Sequence, residues 1–259
     1  MKEKILLAEM TWSEVKDQLE VSDVALIPVG STEQHGRHLP FKTDVFIASN
    51  IAQRAAEEVF EDVKAIVVPS ICYGVSREHM DFPGSITLMP ETLKSLVMDI
   101  CRSLVHHGFR KIVIVNGHGG YGHAPLLQVA ITDLKEETGA FFALVNYFEL
   151  VADVMREVAE TETQFHADEV ETSLALSLGY DADMEEAEKC FLNSKSKFWS
   201  YDFFSPKRVR IALPSVKDRG TDSGTQGDPT KATKEKGERI LKAAVERLAD
   251  FLREIKAGD

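Results

Sequence analysis

The sequence predicts an α/β fold with three layers, in which a mostly parallel sheet is covered by helices on both faces. Strand-like apolar runs alternate with segments of helical periodicity, and this alternation is typical of that architecture. The chain has 259 residues and 44% hydrophobic content, enough for one large core. It contains no internal repeat, low-complexity tract or Pro/Ser-rich linker. We therefore expect a single domain over residues 1–259.

The expected strands are short runs of β-branched and other apolar residues, at positions 24–29, 65–69, 112–115 and 142–145. Three helices have recognisable boundaries. Asp44 can cap a helix that follows the first strand, and Pro90 opens a second helix that Gly108 ends. Asp228 and Pro229 predict the start of the last helix in the same manner. The apolar face of this last helix is expected to pack on the core.

The chain is acidic, with 42 Asp and Glu against 30 Lys and Arg and a net charge of −12. This balance argues against nucleic acid and anionic membranes as partners. The three cysteines, Cys72, Cys101 and Cys190, have no C-x-x-C spacing, so they indicate neither a disulfide framework nor a zinc knuckle. No apolar run has the length of a signal peptide core or a membrane span, and we expect a soluble cytoplasmic protein.

Three clusters of polar residues carry side chains that bind metals. The first cluster places Glu33, His35 and Asp44 directly after the apolar run at 24–29. Carboxylate oxygens and neutral imidazole nitrogens hold catalytic zinc or manganese, and one Asp can bridge two ions. The sequence therefore indicates a metal site after the first strand, although Asp44 by itself could equally be a helix cap.

The second cluster is N-G-H-G-G at residues 116–120, which follows the run at 111–115 and contributes His118. Ligand sites of open α/β sheets collect at the carboxyl ends of the strands. The glycines could alternatively form a tight turn or a phosphate loop, but the Lys-Ser/Thr of a P-loop is missing. The third cluster, at residues 166–173, adds His166, Glu169 and Glu171.

Together, the motifs E-Q-H-G-x-H-L-P-x-x-T-D, N-G-H-G-G and H-A-x-E-x-E-T-S resemble those of the creatininase (creatinine amidohydrolase) family of metal-dependent hydrolases. The resemblance runs nearly end to end and includes residues 73–85 and 223–229. It implies a creatininase-like α/β/α fold, two divalent metal ions, hydrolysis of carbon–nitrogen bonds in small molecules, and homo-oligomers, often hexamers. Zinc, manganese and iron all suit a mixed set of nitrogen and oxygen ligands.

The resemblance also implies a ligand set. Glu33, Asp44 and His118 would hold one ion, while His35 and Asp44 would hold the other with one further carboxylate. Two divalent cations carry four positive charges, which three ionised carboxylates and a bridging hydroxide would balance. A site of this kind favours loss of a proton from its own water.

The last carboxylate is where the chain departs from enzymes that act on creatinine. Those enzymes carry a Glu two residues after the histidine of N-G-H, whereas this chain has Gly120. We predict that Glu169 replaces it as the ligand. Glu171 is then predicted to contact the metal-binding side chains and hold them in position without binding a metal itself.

The predicted reaction is attack of a metal-bridging hydroxide on a carbonyl group, most simply in a cyclic amide or a formamide. The leaving nitrogen needs a proton, and His166 is the predicted donor because imidazole exchanges a proton near neutral pH. The same ligands could instead serve carbon–carbon hydrolysis of a cyclic polyol ketone. A protein that is not an enzyme, and that binds a ligand as a scaffold, is the other alternative. The complete set of metal-binding residues argues against it.

The substrate is open at this level. Arg77 and His79 are similar to a family segment at the mouth of the site and are predicted to contact the substrate, although His79 could also make a structural hydrogen bond. No tryptophan precedes His166 as it does in the creatinine-active enzymes, which argues against creatinine. Aromatic and basic residues between 198 and 210 would suit an anionic or polyhydroxylated molecule, or could belong to a solvated loop: Phe198, Trp199, Tyr201, Phe203, Phe204, Lys207, Arg208 and Arg210.

Overall fold

A computed structural model describes residues 4–162, 165–180, 182–192, 196–200, 205, 209, 211–212 and 215–258. Four parallel strands form its central sheet in the order β2-β1-β3-β4. Their bounds are β1 Val24–Val29, β2 Ile66–Val67, β3 Lys111–Asn116 and β4 Phe141–Asn146. Strands β1 and β3 are buried along their whole length because helices cover both sides of the sheet. The predicted three-layer α/β/α fold is confirmed.

The α-helices of the described residues are α1 Trp12–Leu19, α2 Thr43–Glu58, α3 Pro90–His107, α4 Ala124–Thr138, α5 Tyr147–Leu150, α6 Ala152–Val158, α7 Glu169–Ser177 and α8 Lys234–Ala257. Apolar side chains of α2, α6, α7 and α8 pack on one face of the sheet. Those of α1, α3 and α4 pack on the other. Within the described ranges, no helix combines the length and the apolar character needed to cross a membrane.

The four strands lie where the apolar runs predict them, and α3 ends as expected. Gly108 follows α3 in the left-handed conformation with φ of 113°, and its backbone N–H donates to the carbonyl groups of Leu104 and Val105. A residue with a Cβ atom would be strained there, so the glycine correctly predicts where the helix ends.

Two helix starts differ from the prediction. Asp44 does not cap α2, because it is the second residue of that helix and Lys42 occupies the cap position. Asp228 caps only a short 3-10 turn, Pro229–Lys231, by accepting from the Thr230 N–H. Helix α8 begins later, where the Thr233 hydroxyl accepts from the Lys236 N–H. Both corrections show that a cap residue marks a turn without fixing how far the helix extends.

The register of the sheet brings the ends of three strands side by side. Val29 pairs with Asn116, and Asn116 pairs with Asn146. From β1 the chain continues to β2 on one side, whereas β3 lies on the other side, so the connections diverge between β1 and β3. Ligands of open α/β sheets bind at such a switch point. The loops after β1 and β3 carry the first and second sequence clusters.

The aromatic and basic segment is only partly described. Phe198 is 68% exposed and Trp199 is half-buried. The residues Tyr201, Phe203, Phe204, Lys207, Arg208 and Arg210 lie outside the described residues. The prediction that this segment contacts an anionic or polyhydroxylated substrate therefore stays a prediction.

Candidate metal centre

The three sequence clusters meet at the carboxyl ends of β1 and β3. Glu33 and His35 lie in the loop after β1, Asp44 lies in the first turn of α2, and His118 follows β3. All four side chains are buried. Ligand atoms of Glu33, Asp44 and His118 lie within 4.8 Å of one another. This group is the one that the resemblance predicts for the first ion.

A second group shares Asp44 with the first. Ligand atoms of His35, Asp44 and Glu171 also lie within 4.8 Å of one another. The carboxylate of Asp44 presents one oxygen to each group, since Oδ1 lies 2.9 Å from Nε2 of His35 and Oδ2 lies 3.0 Å from Nδ1 of His118. One carboxylate can therefore reach two ions at once.

The structure contradicts the prediction that Glu169 completes the second group. Its buried carboxylate accepts hydrogen bonds from the N–H groups of Glu160 and Thr161 and forms an ion pair with Lys236 on α8. Glu171 lies two residues further along α7, and residues two apart on a helix face different ways. Glu171 therefore faces Asp44 and occupies the position predicted for Glu169.

His166 lies against both groups. Its Nδ1 atom is 3.7 Å from Oε1 of Glu33, and its ring centroid is 4.5 Å from that of His35. A third cluster of possible ligand atoms comprises Glu33, His35 and His166. The geometry therefore permits His166 either to bind an ion or to exchange a proton beside the metal ligands.

The two residues predicted to contact the substrate have different positions. His79 is 4% exposed and lines the pocket above the site. Its Nε2 atom lies 3.4 Å from Oε1 of Glu33. Arg77 is exposed, and its guanidinium group lies 3.5 Å from Sδ of Met89. Arg77 is not among the described residues that line the pocket, and its predicted contact with the substrate stays a prediction. The neighbouring Glu78 lines the pocket instead.

Two carboxylate oxygens test whether the site suits a cation. Among the described residues, none donates a well-aligned hydrogen bond to Oε2 of Glu33 or to Oδ2 of Asp44, although both atoms are buried. Buried carboxylates are nearly always paired. Nδ1 of His118 is close to both oxygens, at 3.3 and 3.0 Å. Atoms that face one another in this way fit around a shared ion.

Backbone carbonyl groups hold the rings of the histidines. Nδ1 of His35 is 3.1 Å from the carbonyl oxygen of Glu33, and Nε2 of His118 is 3.0 Å from that of Val75. A carbonyl oxygen only accepts, so these nitrogens carry hydrogen and the opposite nitrogens face the carboxylates. Such outer contacts fix the tautomer of a metal-binding histidine.

Charges in the site are balanced by protons when no ion is bound. Burial alone would lower the pKa of His35, but Asp44 raises it to about 10. Burial acts in the same direction on His118, and Glu33 and Asp44 raise its pKa well above the usual value. Burial, with Asp168 and Asp44, raises the pKa of Glu171 to about 8. A cation would take the place of these protons.

Gly120 leaves no room for a side chain beside the His118 ring. A Cβ atom on Gly120 would overlap Nε2 of His118. A side chain at position 120 therefore requires another placement of the His118 ring. The carboxylate of Glu171 reaches the second group from α7 instead.

The pocket above the two groups encloses a cavity of about 60 Å³. Four aromatic residues, Tyr121, Tyr147, Phe148 and Phe165, contribute to its wall. Sequence reasoning missed them, although Tyr147 and Phe148 directly follow β4, at the edge of the sheet where ligands bind. The aromatic walls suit a small, flat molecule, and the acidic floor suits cations.

A parallel sheet between two helical layers, with two histidine–carboxylate groups at its switch point, has the features of a metal-dependent hydrolase. The chain belongs to the creatininase family, since the family model described as creatinine amidohydrolase matches residues 8–252. Creatinine amidohydrolase of Pseudomonas putida is 29% identical, with 98% of each chain covered. Mycofactocin precursor peptide peptidase of Mycolicibacterium smegmatis is 31% identical, covering 89% of this chain and 84% of the relative.

Solved structures agree with this family. A Bacteroides fragilis protein assigned as a creatinine amidohydrolase has a TM-score of 0.85 and 31% identity, with 100% of this chain and 99% of the other covered. A mutant creatininase of Zn-Zn type has a TM-score of 0.79 and 28% identity, with 98% of each chain covered. The zinc pair of this relative agrees with two groups of ligand atoms in the present chain.

Proposed function

We propose that the chain hydrolyses a carbon–nitrogen bond of a small cyclic amide or formamide, with Glu33, Asp44 and His118 holding one divalent ion and His35, Asp44 and Glu171 holding the other. The observation that carries this proposal is the position of Asp44 in both groups. Two divalent cations held there supply a nucleophile near neutral pH and polarise the carbonyl group that is attacked.

We infer that His166 moves the proton. Burial, with His79 and His35 nearby, lowers the pKa of His166 well below its usual value, so the ring is neutral at pH 7. Its Nδ1 atom has a lone pair and faces the carboxylate of Glu33, as the hydrogen bond of Nε2 to a backbone carbonyl requires. The imidazole can take a proton in the first step and give it to the leaving nitrogen in the second.

The pocket wall supports a small substrate rather than a protein. Phe148 and Phe165 would cover the faces of a planar group and exclude water from it. The carboxylates of Glu78 and Asp168 lie in the same wall, so the substrate should carry hydrogen-bond donors or a positive charge. This favours cyclic amides with N–H groups over anionic compounds.

The test combines metal analysis with a panel of substrates. Wild-type protein and His166→Gln are loaded with zinc or manganese and offered cyclic amides, formamides and cyclic ketones. We expect two ions in both proteins, and turnover of a carbon–nitrogen substrate that falls by about 10²- to 10⁴-fold in the variant. Loss of an ion from His166→Gln would show that His166 is a metal ligand. Turnover of cyclic ketones alone would contradict amide cleavage and show that the chain hydrolyses a carbon–carbon bond.

We also propose a homo-oligomer, and a hexamer is the form that the family resemblance implies. Support comes from four large apolar side chains of one segment near the pocket, Tyr73, Met80, Ile86 and Met89, which are 45–58% exposed. Light scattering on the purified chain should give a mass several times 28.9 kDa. A mass of one chain would contradict the proposal.

We further propose that the chain acts as one domain in the cytoplasm. Both apolar clusters pack on the same sheet, and the described Cys72, Cys101 and Cys190 are free thiols, which suits a reducing compartment. Limited proteolysis should give no stable half-length fragment. Fractionation of the source cells should place the protein with cytoplasmic enzymes, and recovery outside the cytoplasm would contradict the location.

A further inference from the structure

The side chain of Gln34 lies between two histidines in the wall of the site and is 4% exposed. Its Nε2 atom is 2.8 Å from Nδ1 of His79 and 3.0 Å from Nε2 of His166. The backbone N–H of Gly36 donates to Oε1 at 2.9 Å. Because this donor requires an acceptor, the amide oxygen faces Gly36 and the amide nitrogen faces the two rings.

This orientation fixes the hydrogen of His79. The amide nitrogen only donates, so Nδ1 of His79 accepts and carries no hydrogen. The remaining amide hydrogen faces the carbonyl oxygen of Gly224, at 3.3 Å. The hydrogen of a neutral His79 is then on Nε2, which lies 3.4 Å from Oε1 of Glu33. Gln34 thereby aims an N–H group at a metal-binding carboxylate.

The backbone of the same residue fixes His166. Nε2 of His166 is 2.7 Å from the carbonyl oxygen of Gln34, which only accepts, and 3.0 Å from the amide nitrogen of the same residue. The two hydrogens of that amide are directed at His79 and Gly224, so the carbonyl oxygen is the partner of Nε2. The imidazole hydrogen therefore lies on Nε2, and the lone pair lies on Nδ1, on the side of Glu33. The rings of His79 and His166 are in contact, with centroids 4.4 Å apart, so a change in one would disturb the other.

We propose that Gln34 is a positioning residue that sets the ring tautomers of both His79 and His166. The hydrogen of His79 then faces the carboxylate of Glu33, and the lone pair of His166 lies on the side of the same carboxylate. The catalytic meaning of this inference rests on the proposed function, whereas the tautomers themselves can be observed in the resting protein.

Gly224 supports the proposal from the other side of the amide. Its φ is +89°, and a Cβ atom there would overlap Oε1 of Gln34. The motif at residues 223–229 thus places a glycine where only a glycine leaves room for the Gln34 amide. A substitution at Gly224 displaces Gln34 without changing its chemistry.

The test is long-range ¹H–¹⁵N NMR of the histidine rings in the full chain, with zinc added and without metal. Wild-type His79 and His166 should both carry hydrogen on Nε2, and His79→Gln identifies the His79 signals. Gln34→Glu places an acceptor against Nδ1 of His79, so that nitrogen should gain a hydrogen. Gln128→Glu makes the same change at an exposed position of α4 and should leave both rings unaltered.

Gly224→Ala provides a second variant if Gln34→Glu does not fold, and it should also change the His79 pattern. Both variants should weaken zinc binding by about 10-fold or more, the usual effect of losing a partner of a metal ligand. Hydrogen on Nδ1 of wild-type His79, or an unchanged pattern in folded Gln34→Glu, would overturn the proposal. A wild type that binds no zinc would instead refute the proposed function, and the metal-free spectra would still decide the role of Gln34.

Discussion

The Nδ1 atom of His118 lies 3.0 Å from Oδ2 of Asp44 without forming a well-aligned hydrogen bond to it. The same nitrogen lies 3.3 Å from Oε2 of Glu33, again without a well-aligned hydrogen bond. Three buried ligand atoms that converge in this way are arranged as the ligands of a cation are. Oδ1 of Asp44 meanwhile reaches His35, so this one carboxylate links the two halves of the site.

The contact between Gly120 and His118 gives the first prediction. Gly120→Ala adds a Cβ atom that would overlap Nε2 of His118, and the buried ring must shift away from Glu33 and Asp44. We expect the metal content to fall by about one ion per chain, with activity lost in parallel. Elemental analysis by mass spectrometry measures the content.

Gly122→Ala is the matched control for this change. Its Cβ atom would lie 3.4 Å from Cγ1 of Val75, which is an ordinary contact. This variant should keep both ions. If Gly120→Ala also kept both ions and full activity, His118 would not be held as tightly as the structure indicates.

Glu171 occupies the position predicted for Glu169, and this gives a second prediction with an internal control. Glu171→Gln removes a charge that faces Asp44 and His35, and it should lower metal content and activity while the fold persists. Glu169→Gln removes one of the two carboxylates paired with Lys236, the other being that of Glu160, and it should keep both ions. It should lower the free energy of unfolding by ~2 kcal/mol, because a charged hydrogen bond is lost.

Metal analysis and urea denaturation of the two variants distinguish these effects. The opposite outcome, with metal lost from Glu169→Gln and retained in Glu171→Gln, would restore the assignment that the sequence alone favours. Equal behaviour of the two variants would show that neither acid has a distinct place in the metal site.

Most of the fold could be predicted because it depends on local apolar runs. The short apolar runs of β1 and β3 are typical of buried parallel strands. The polar residues directly after these strands mark the switch point where ligands bind. Glu33, His35, Asp44 and His118 could therefore be named from the sequence, with the family resemblance supplying their grouping.

Long-range packing decided what the sequence could not show. Glu169 and Glu171 are equally acidic, and only the position of Lys236 on α8 shows which of them faces away from the site. Gln34 received no predicted role because its importance depends on His79 and Gly224, which are distant in sequence.

Proton release gives a third prediction. Since Asp44 raises the pKa of His35 to about 10 against the effect of burial, and that of His118 also lies well above its usual value, both rings are protonated near pH 7 without metal. Binding to an ion requires the lone pair that each proton occupies. Glu171, with a pKa raised to about 8, is also mostly protonated near pH 7. Loading with zinc should therefore release about three protons per chain, two from the imidazoles and one from the Glu171 carboxyl group.

The sign of the pH dependence follows from this release. Protons compete with zinc, so the apparent affinity should rise as pH increases from 6 to 8. Calorimetric titration in two buffers with different ionisation enthalpies gives the number of protons released. Proton uptake on binding, or an affinity that falls over this range, would show that these histidines are not displaced by the ion.

The central claim is that Asp44 joins two ions, and metal content per chain in wild type and Asp44→Asn tests it most directly. Both proteins are purified without chelator, loaded with zinc and measured by elemental mass spectrometry, with circular dichroism to show that both are folded. The account predicts about two ions in the wild type and one or none in Asp44→Asn, because the amide cannot bridge as a carboxylate does. Two ions in both proteins would contradict the bridging role, and no ion in the folded wild type would contradict the metal centre itself.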